Sequence, residues 1–117
     1  MSVTTKVPHD RLSEYFTAFT RRFLLDDSPE AVDVEVLEPD LGDQVAVHGV
    51  RLLGVTFDSK GNTLELELDS GDHRVYDPEE IWTIEESDGF LSAIEVVHPD
   101  GDREVISVKR VGLRHPR

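Results

Sequence analysis

The sequence predicts an α+β domain: one N-terminal amphipathic helix packed on a strongly twisted antiparallel sheet, or partly open barrel, of seven to eight short strands. Three observations lead there. Large apolar residues recur at helical spacing only near the start of the chain. From Val32 onward, apolar and polar residues mostly alternate with period two. Clusters of Gly, Pro, Asp and Ser punctuate the alternating runs. With 117 residues, one core can bury about two-thirds of the unfolded surface, so a single domain over residues 1–117 is expected.

Residues 1–7 show no period and read as a loose arm. A helix is expected over 8–25. Pro8 suits a first turn, where its missing N–H has no partner to lose. Leu12, Tyr15, Phe16, Phe19 and Phe23 form one apolar stripe, read as core. Asp10 and Glu14 suit the positive end of the helix, and Arg21 and Arg22 the negative end. Asp26-Asp27-Ser28-Pro29-Glu30 then stops it.

An antiparallel β meander is expected over 31–110. Val32, Val34 and Val36 oppose Asp33 and Glu35. Val45 and Val47 alternate with Ala46 and His48, and Leu53, Val55 and Phe57 continue the pattern. Leu64, Leu66 and Leu68 alternate with Glu65 and Glu67. One buried and one wet face is the signature of antiparallel pairing. Turn chemistry marks 39–43, 58–62, 70–72, 87–89 and 99–102. Pro99-Asp100-Gly101 predicts a hairpin between Phe90–His98 and Arg103–Arg110, with a type I turn and a left-handed glycine. Asp77-Pro78-Glu79-Glu80 reads as a one-turn helix or a polar corner, and 111–117 as a tail.

Charge restricts the partners. There are 25 carboxylates against 12 Lys and Arg, for a formal net charge of -13. That field repels phosphate and anionic lipid over about 8 Å, so neither nucleic acid nor membrane is an expected partner. Arg21-Arg22 and Lys109-Arg110 with Arg114, His115 and Arg117 are the basic groups, read as a helix end and a chain end. Abundant carboxylate with only three lysines fits a chain bathed in salt, where screening removes self-repulsion. Without cysteine, disulfides, thiolate zinc sites and thiol catalysis are excluded. No apolar run is long enough to span a bilayer and no basic-then-apolar leader opens the chain, so a cytoplasmic location is expected.

No Gly-rich phosphate loop, His-Glu-x-x-His or Gly-x-Ser-x-Gly occurs. No catalytic residue is assigned and no cofactor is expected. His48, His73 and His98 lie on or beside strands and, if the sheet gathers them, offer ligands for a divalent ion that activates water. That is the alternative function, a small metal-dependent hydrolase. The bland reading is solvated histidines beside turns, with His98 partly covered because it shares parity with Ile94 and Val96. Glu65 with Glu67, and Asp33 with Glu35, read as a wet sheet face that discourages edge pairing. Trp82, with Tyr76 and Arg74, is the candidate lining of a ligand or partner groove with cation–π character. Against it stands a core position for the single tryptophan beside the helix.

Ile-Trp-Thr-Ile-Glu-Glu from Ile81, Asp-Gly-Phe-Leu-Ser-Ala-Ile-Glu-Val from Asp88 and Asp-Gly-Asp-Arg-Glu-Val-Ile from Asp100 resemble an uncharacterised family of short bacterial proteins. The Phe-rich helix after Pro8 and the Val34–Gln44 segment share the resemblance. It implies no activity, substrate or catalytic residue. The favoured reading is a non-catalytic binding or interaction module whose partner is a protein or small ligand. Self-association about a two-fold axis, through a sheet edge or a Trp-centred patch, belongs to the same reading.

Overall fold

The computed structural model describes residues 2–24, 30–38 and 44–113. Strand β1 (Val3–Lys6) leads through a 3-10 turn (His9–Arg11) into helix α1 (Leu12–Phe23). Seven strands follow: β2 (Glu30–Glu38), β3 (Gln44–Asp58), β4 (Thr63–Leu68), β5 (His73–Tyr76), β6 (Glu80–Glu85), β7 (Leu91–Val97) and β8 (Arg103–Leu113). All pair antiparallel in one sheet, in the order β1-β6-β7-β8-β2-β3-β4-β5. The edges β1 and β5 do not pair, so the sheet stays open. The α+β class follows directly.

Residues 3–6 are not a loose arm. They form an edge strand, in register from Val3↔Glu85 to Lys6↔Trp82. All four side chains are exposed, so no buried face imprinted an apolar alternation, and backbone hydrogen bonds hold the strand. Nor is the β region a single meander. Two meanders, β6-β7-β8 and β2-β3-β4-β5, are joined by the β2–β8 pair through Val34↔Val108 and Val36↔Ile106. Residues 77–79 make a corner with Asp77 at φ 53°. The expected tail begins as the end of β8. Residues 114–117, the break at 25–29 and the turn at 39–43 lie outside the described residues.

The Pro-Asp-Gly hairpin has its expected form. The Gly101 N–H donates to the His98 carbonyl at 2.9 Å and the His98 N–H to the Asp102 carbonyl at 2.8 Å. Gly101 sits at φ 93°, and the Asp100 carboxylate accepts the Asp102 N–H at 3.0 Å. The β6–β7 turn repeats this design: Gly89 at φ 94° donates to the Glu86 carbonyl, and Asp88 accepts the Phe90 N–H.

Helix α1 lies on the concave side. Leu12 and Phe16 are fully buried and Phe19 nearly so, among Val34, Val55, Leu64, Leu66, Ile81, Leu91, Ile94 and Ile106. Strand β3 explains the docking. Its first part pairs with β2 as far as Asp33↔Arg51 and its second part with β4 from Leu52↔Leu68. Beyond Arg51 the β2-side edge of β3 has no strand beside it among the described residues. The Thr20 hydroxyl fills that place, donating to the Val55 carbonyl at 2.8 Å and accepting the Val55 N–H at 3.0 Å. A buried backbone pair is thereby satisfied by a helix side chain.

The sheet is strongly curled. In a flat sheet β8 and β5 would stand four strand spacings, about 19 Å, apart. Yet His73 Nε2 on β5 lies 2.6 Å from a Glu104 carboxylate oxygen on β8. Elsewhere Asn62, itself at φ 48°, ties together the helix start and the β5–β6 corner. Its side chain bonds His9 at 3.0 Å and its carbonyl accepts the Asp77 N–H at 2.9 Å.

Candidate functional site

The three candidate histidines do not come together. Glu104 is 7% exposed and receives two imidazoles: His73 Nε2 at 2.6 Å and His98 Nε2 at 3.8 Å. His48 stands on the opposite, convex face, where it bonds Glu35. Alternation explains the separation, because Glu104 shares its face with buried Ile106 and Val108, whereas Glu35 lies between buried Val34 and Val36. Among the described residues no group of three His, Asp or Glu could hold a metal ion. The His48–His73–His98 hydrolase site therefore does not form. What remains is a clip in which the His73 imidazole of β5 meets the Glu104 carboxylate of β8. Glu104 was absent from the sequence candidates although its parity with Ile106 already pointed inward.

Arg74 and Tyr76 do share a surface, without Trp82. Both project from the convex side of β5 into a shallow depression of about 280 Å³, lined also by Thr56, Asp58, Thr63 and Glu65. Arg74 is committed to Glu65 at 3.1 Å and Asp72 at 3.8 Å, and Tyr76 is 62% exposed. The depression is polar and its cation is neutralised.

The concave side carries a second opening, of about 320 Å³, between α1 and the β6–β7 turn. Tyr15 lines it and donates to Glu85 at 3.1 Å while its hydroxyl lies 3.0 Å from that of Thr83. Burial pushes the Tyr15 phenol above its usual range. The Thr83 hydrogen bond opposes that, and the nearby Glu85 carboxylate adds to it. Next to it, Phe19, Phe23 and Phe90 stack at centroid distances of 5.4 to 5.7 Å. Arg22 covers Phe23 at 5.0 Å, and Arg110 covers Phe90 at 4.0 Å and Phe23 at 5.4 Å. One arginine from each of the two basic pairs thus meets over a single aromatic cluster. The Arg110 hydrogen bond, at 2.7 Å, and then the Phe90 N–H hold the Asp88 carboxyl below its usual range.

Trp82 is neither in the core nor beside the helix. Ile81 and Thr83 point inward, at 0% and 1% exposure, so Trp82 and Ile84 project from the convex face. Register places them in two rows. Lys6, Trp82, Glu95, Val105 and Leu37 cross β1, β6, β7, β8 and β2; Thr4, Ile84, Ala93, Ser107 and Glu35 form the parallel row. Val97 extends the patch toward Arg103. Trp82, Ile84, Ala93, Val97, Val105 and Leu37 are all only partly buried, and helix α1 packs on the other side, with Leu12, Phe16 and Phe19 in the core. Two ion pairs interleave with them, Lys6–Glu80 at 3.3 Å at the border and Arg103–Glu95 at 3.0 Å, with Glu95 between Trp82 and Val105. The Trp82 indole N–H donates to Glu80 at 3.0 Å, and that bond, with Lys6, holds the Glu80 carboxyl below its usual range.

No helix among the described residues is long and apolar enough to cross a membrane. No solved structure matches the chain. An uncharacterized protein of Aquifex aeolicus is 33% identical over 107 residues, which is 91% of this chain and 92% of that protein. The resemblance read in Ile81–Val108 and in the Phe-rich helix extends through the whole curled sheet, since the pattern of one family matches residues 3–114. The chain is a member of that family, the family of unknown function DUF5335.

Proposed function

We propose that this protein is a non-catalytic protein-interaction module of the bacterial cytoplasm, and that it works through the convex face of β1, β6, β7, β8 and β2. One observation carries the reading: six apolar side chains stand in register across four strands on the side of the sheet that the helix leaves open. Sheet faces turned to water normally alternate toward polar residues, and a cluster of partly exposed apolar side chains, here interleaved with Glu95 and Ser107, supports an interaction surface. Trp82 gives it an aromatic anchor of the kind that dominates binding energy, the Lys6–Glu80 pair lies at its border, and Glu95, bonded to Arg103, stands between Trp82 and Val105.

The test is cross-linking in living bacteria with a photoreactive residue placed at Val97, at Val105 or, as a comparison, at Thr56 on the Arg74–Tyr76 surface. Protein adducts are expected from Val97 and Val105 and not from Thr56. Equal adducts at all three positions, or none at Val97 and Val105, overturn the reading.

A further inference from the structure

Resting on that reading of the convex face, we infer that strand β1 regulates it: Val3–Lys6 peels from β6 as a unit, stops at Val7, and in leaving uncovers one flank of Trp82. How the strand is held is the first argument. All four of its side chains are exposed, so no apolar surface is buried to offset the entropy of ordering the segment. Its ion pair, Lys6–Glu80 at 3.3 Å, joins two side chains that water reaches, and such pairs add little. What remains is backbone hydrogen bonding to β6 alone, since β1 is the outermost strand. The opposite edge strand is fastened by side chains: Val75 of β5 is buried in the core and His73 bonds Glu104. Segments with few buried contacts open locally while the rest of a fold stays closed.

Register says where the opening stops and what it uncovers. The Val7 N–H donates to the Ile81 carbonyl at 3.0 Å and Val7 belongs to the core, so the chain is fixed there, just before Pro8. That bond makes Val7 and Ile81 a hydrogen-bonded pair. Alternation along the ladder makes Thr5↔Thr83 another and leaves Lys6↔Trp82 and Thr4↔Ile84 as the close, non-bonded pairs. Release therefore frees the Thr83 N–H, while those of Trp82 and Ile84 stay turned toward β7. On the convex face it takes Thr4 from beside Ile84 and Lys6 from beside Trp82. Lys6 and the Trp82 indole N–H also share one carboxylate, Glu80, at 3.3 and 3.0 Å, so the strand and the tryptophan are coupled through it.

Amide exchange followed by NMR on the full chain reads the release directly. The Thr5 and Thr83 amides should exchange together, about a hundredfold faster than those of Trp82 and Ile84, the mark of local against global opening. Thr5→Pro deletes a bond to β6 and should make the single tryptophan more accessible to acrylamide. The chain has no cysteine, so Thr4→Cys with Ile84→Cys can form one disulfide across a close pair. Oxidised, that variant should protect the Thr83 amide and lower the quenching relative to its own reduced form. A Thr83 amide no faster than those of Trp82 and Ile84, or a disulfide that changes neither reading, overturns the release. In cells, Thr5→Pro should raise the yield of adducts from a photoreactive residue at Val97, and an unchanged yield overturns the regulation. No Val97 adduct with or without Thr5→Pro removes the interaction reading and the regulation with it, while the release is still decided by exchange.

Discussion

A single hydroxyl stands where a neighbouring strand would otherwise be. Thr20 both donates to and accepts from Val55, so Thr20→Val leaves a buried N–H and C=O unpaired while keeping the shape. Urea denaturation should show a loss of about 1–3 kcal/mol, with Thr20→Ser close to the natural protein. Tyr15 offers a test by pH. Its pKa is raised in the folded state by burial, so its contribution to stability is complete below about pH 10 and is lost as pH rises through the folded value. Melting curves above pH 10 should therefore fall more steeply for the natural chain than for Tyr15→Phe. Neither role was readable beforehand. The Thr20 partner lies 35 residues away, whereas Tyr15 was visible only as part of an apolar stripe. Glu104 was readable, because the alternation that buries Ile106 and Val108 places it on the same face.

Among the elements, the two Asp-Gly hairpins were legible because their information is local. A hairpin loop built on a type I turn is closed by a left-handed residue, and glycine adopts that conformation without strain. Gly101 shows the effect in pure form: a Cβ built there meets nothing within 4 Å, so Gly101→Ala should cost about 1–2 kcal/mol from backbone strain alone, read as a lower midpoint in thermal unfolding. Strand β1 was illegible for the opposite reason. Val3-Thr4-Thr5-Lys6 buries no side chain, and its pairing to β6 depends on residues about eighty positions downstream. Trp82 was found as a candidate, but its face was set by Ile81 and Thr83 turning inward. A lone tryptophan between an isoleucine and a threonine does not reveal that order by itself.

For the whole molecule, the curl of the sheet was the least legible feature, since a contact such as His73 with Glu104 joins strands that are not neighbours in the sheet. The excess of carboxylate, by contrast, was plain. With a formal charge of -13, self-repulsion opposes the compact state, and added KCl should raise the melting temperature until the charges are screened; a flat or falling trend would count against salt adaptation. The β2–β8 junction also bears on synthesis. Residues 30–38 leave the ribosome long before residues 103–113, the strand that covers their open side. Until then β2 presents an unsatisfied ladder of N–H and C=O groups, an adhesive edge for any passing strand. A chain truncated near residue 100 should therefore aggregate more readily than one that extends through β8, because β8 covers an edge of β2 that is otherwise left open.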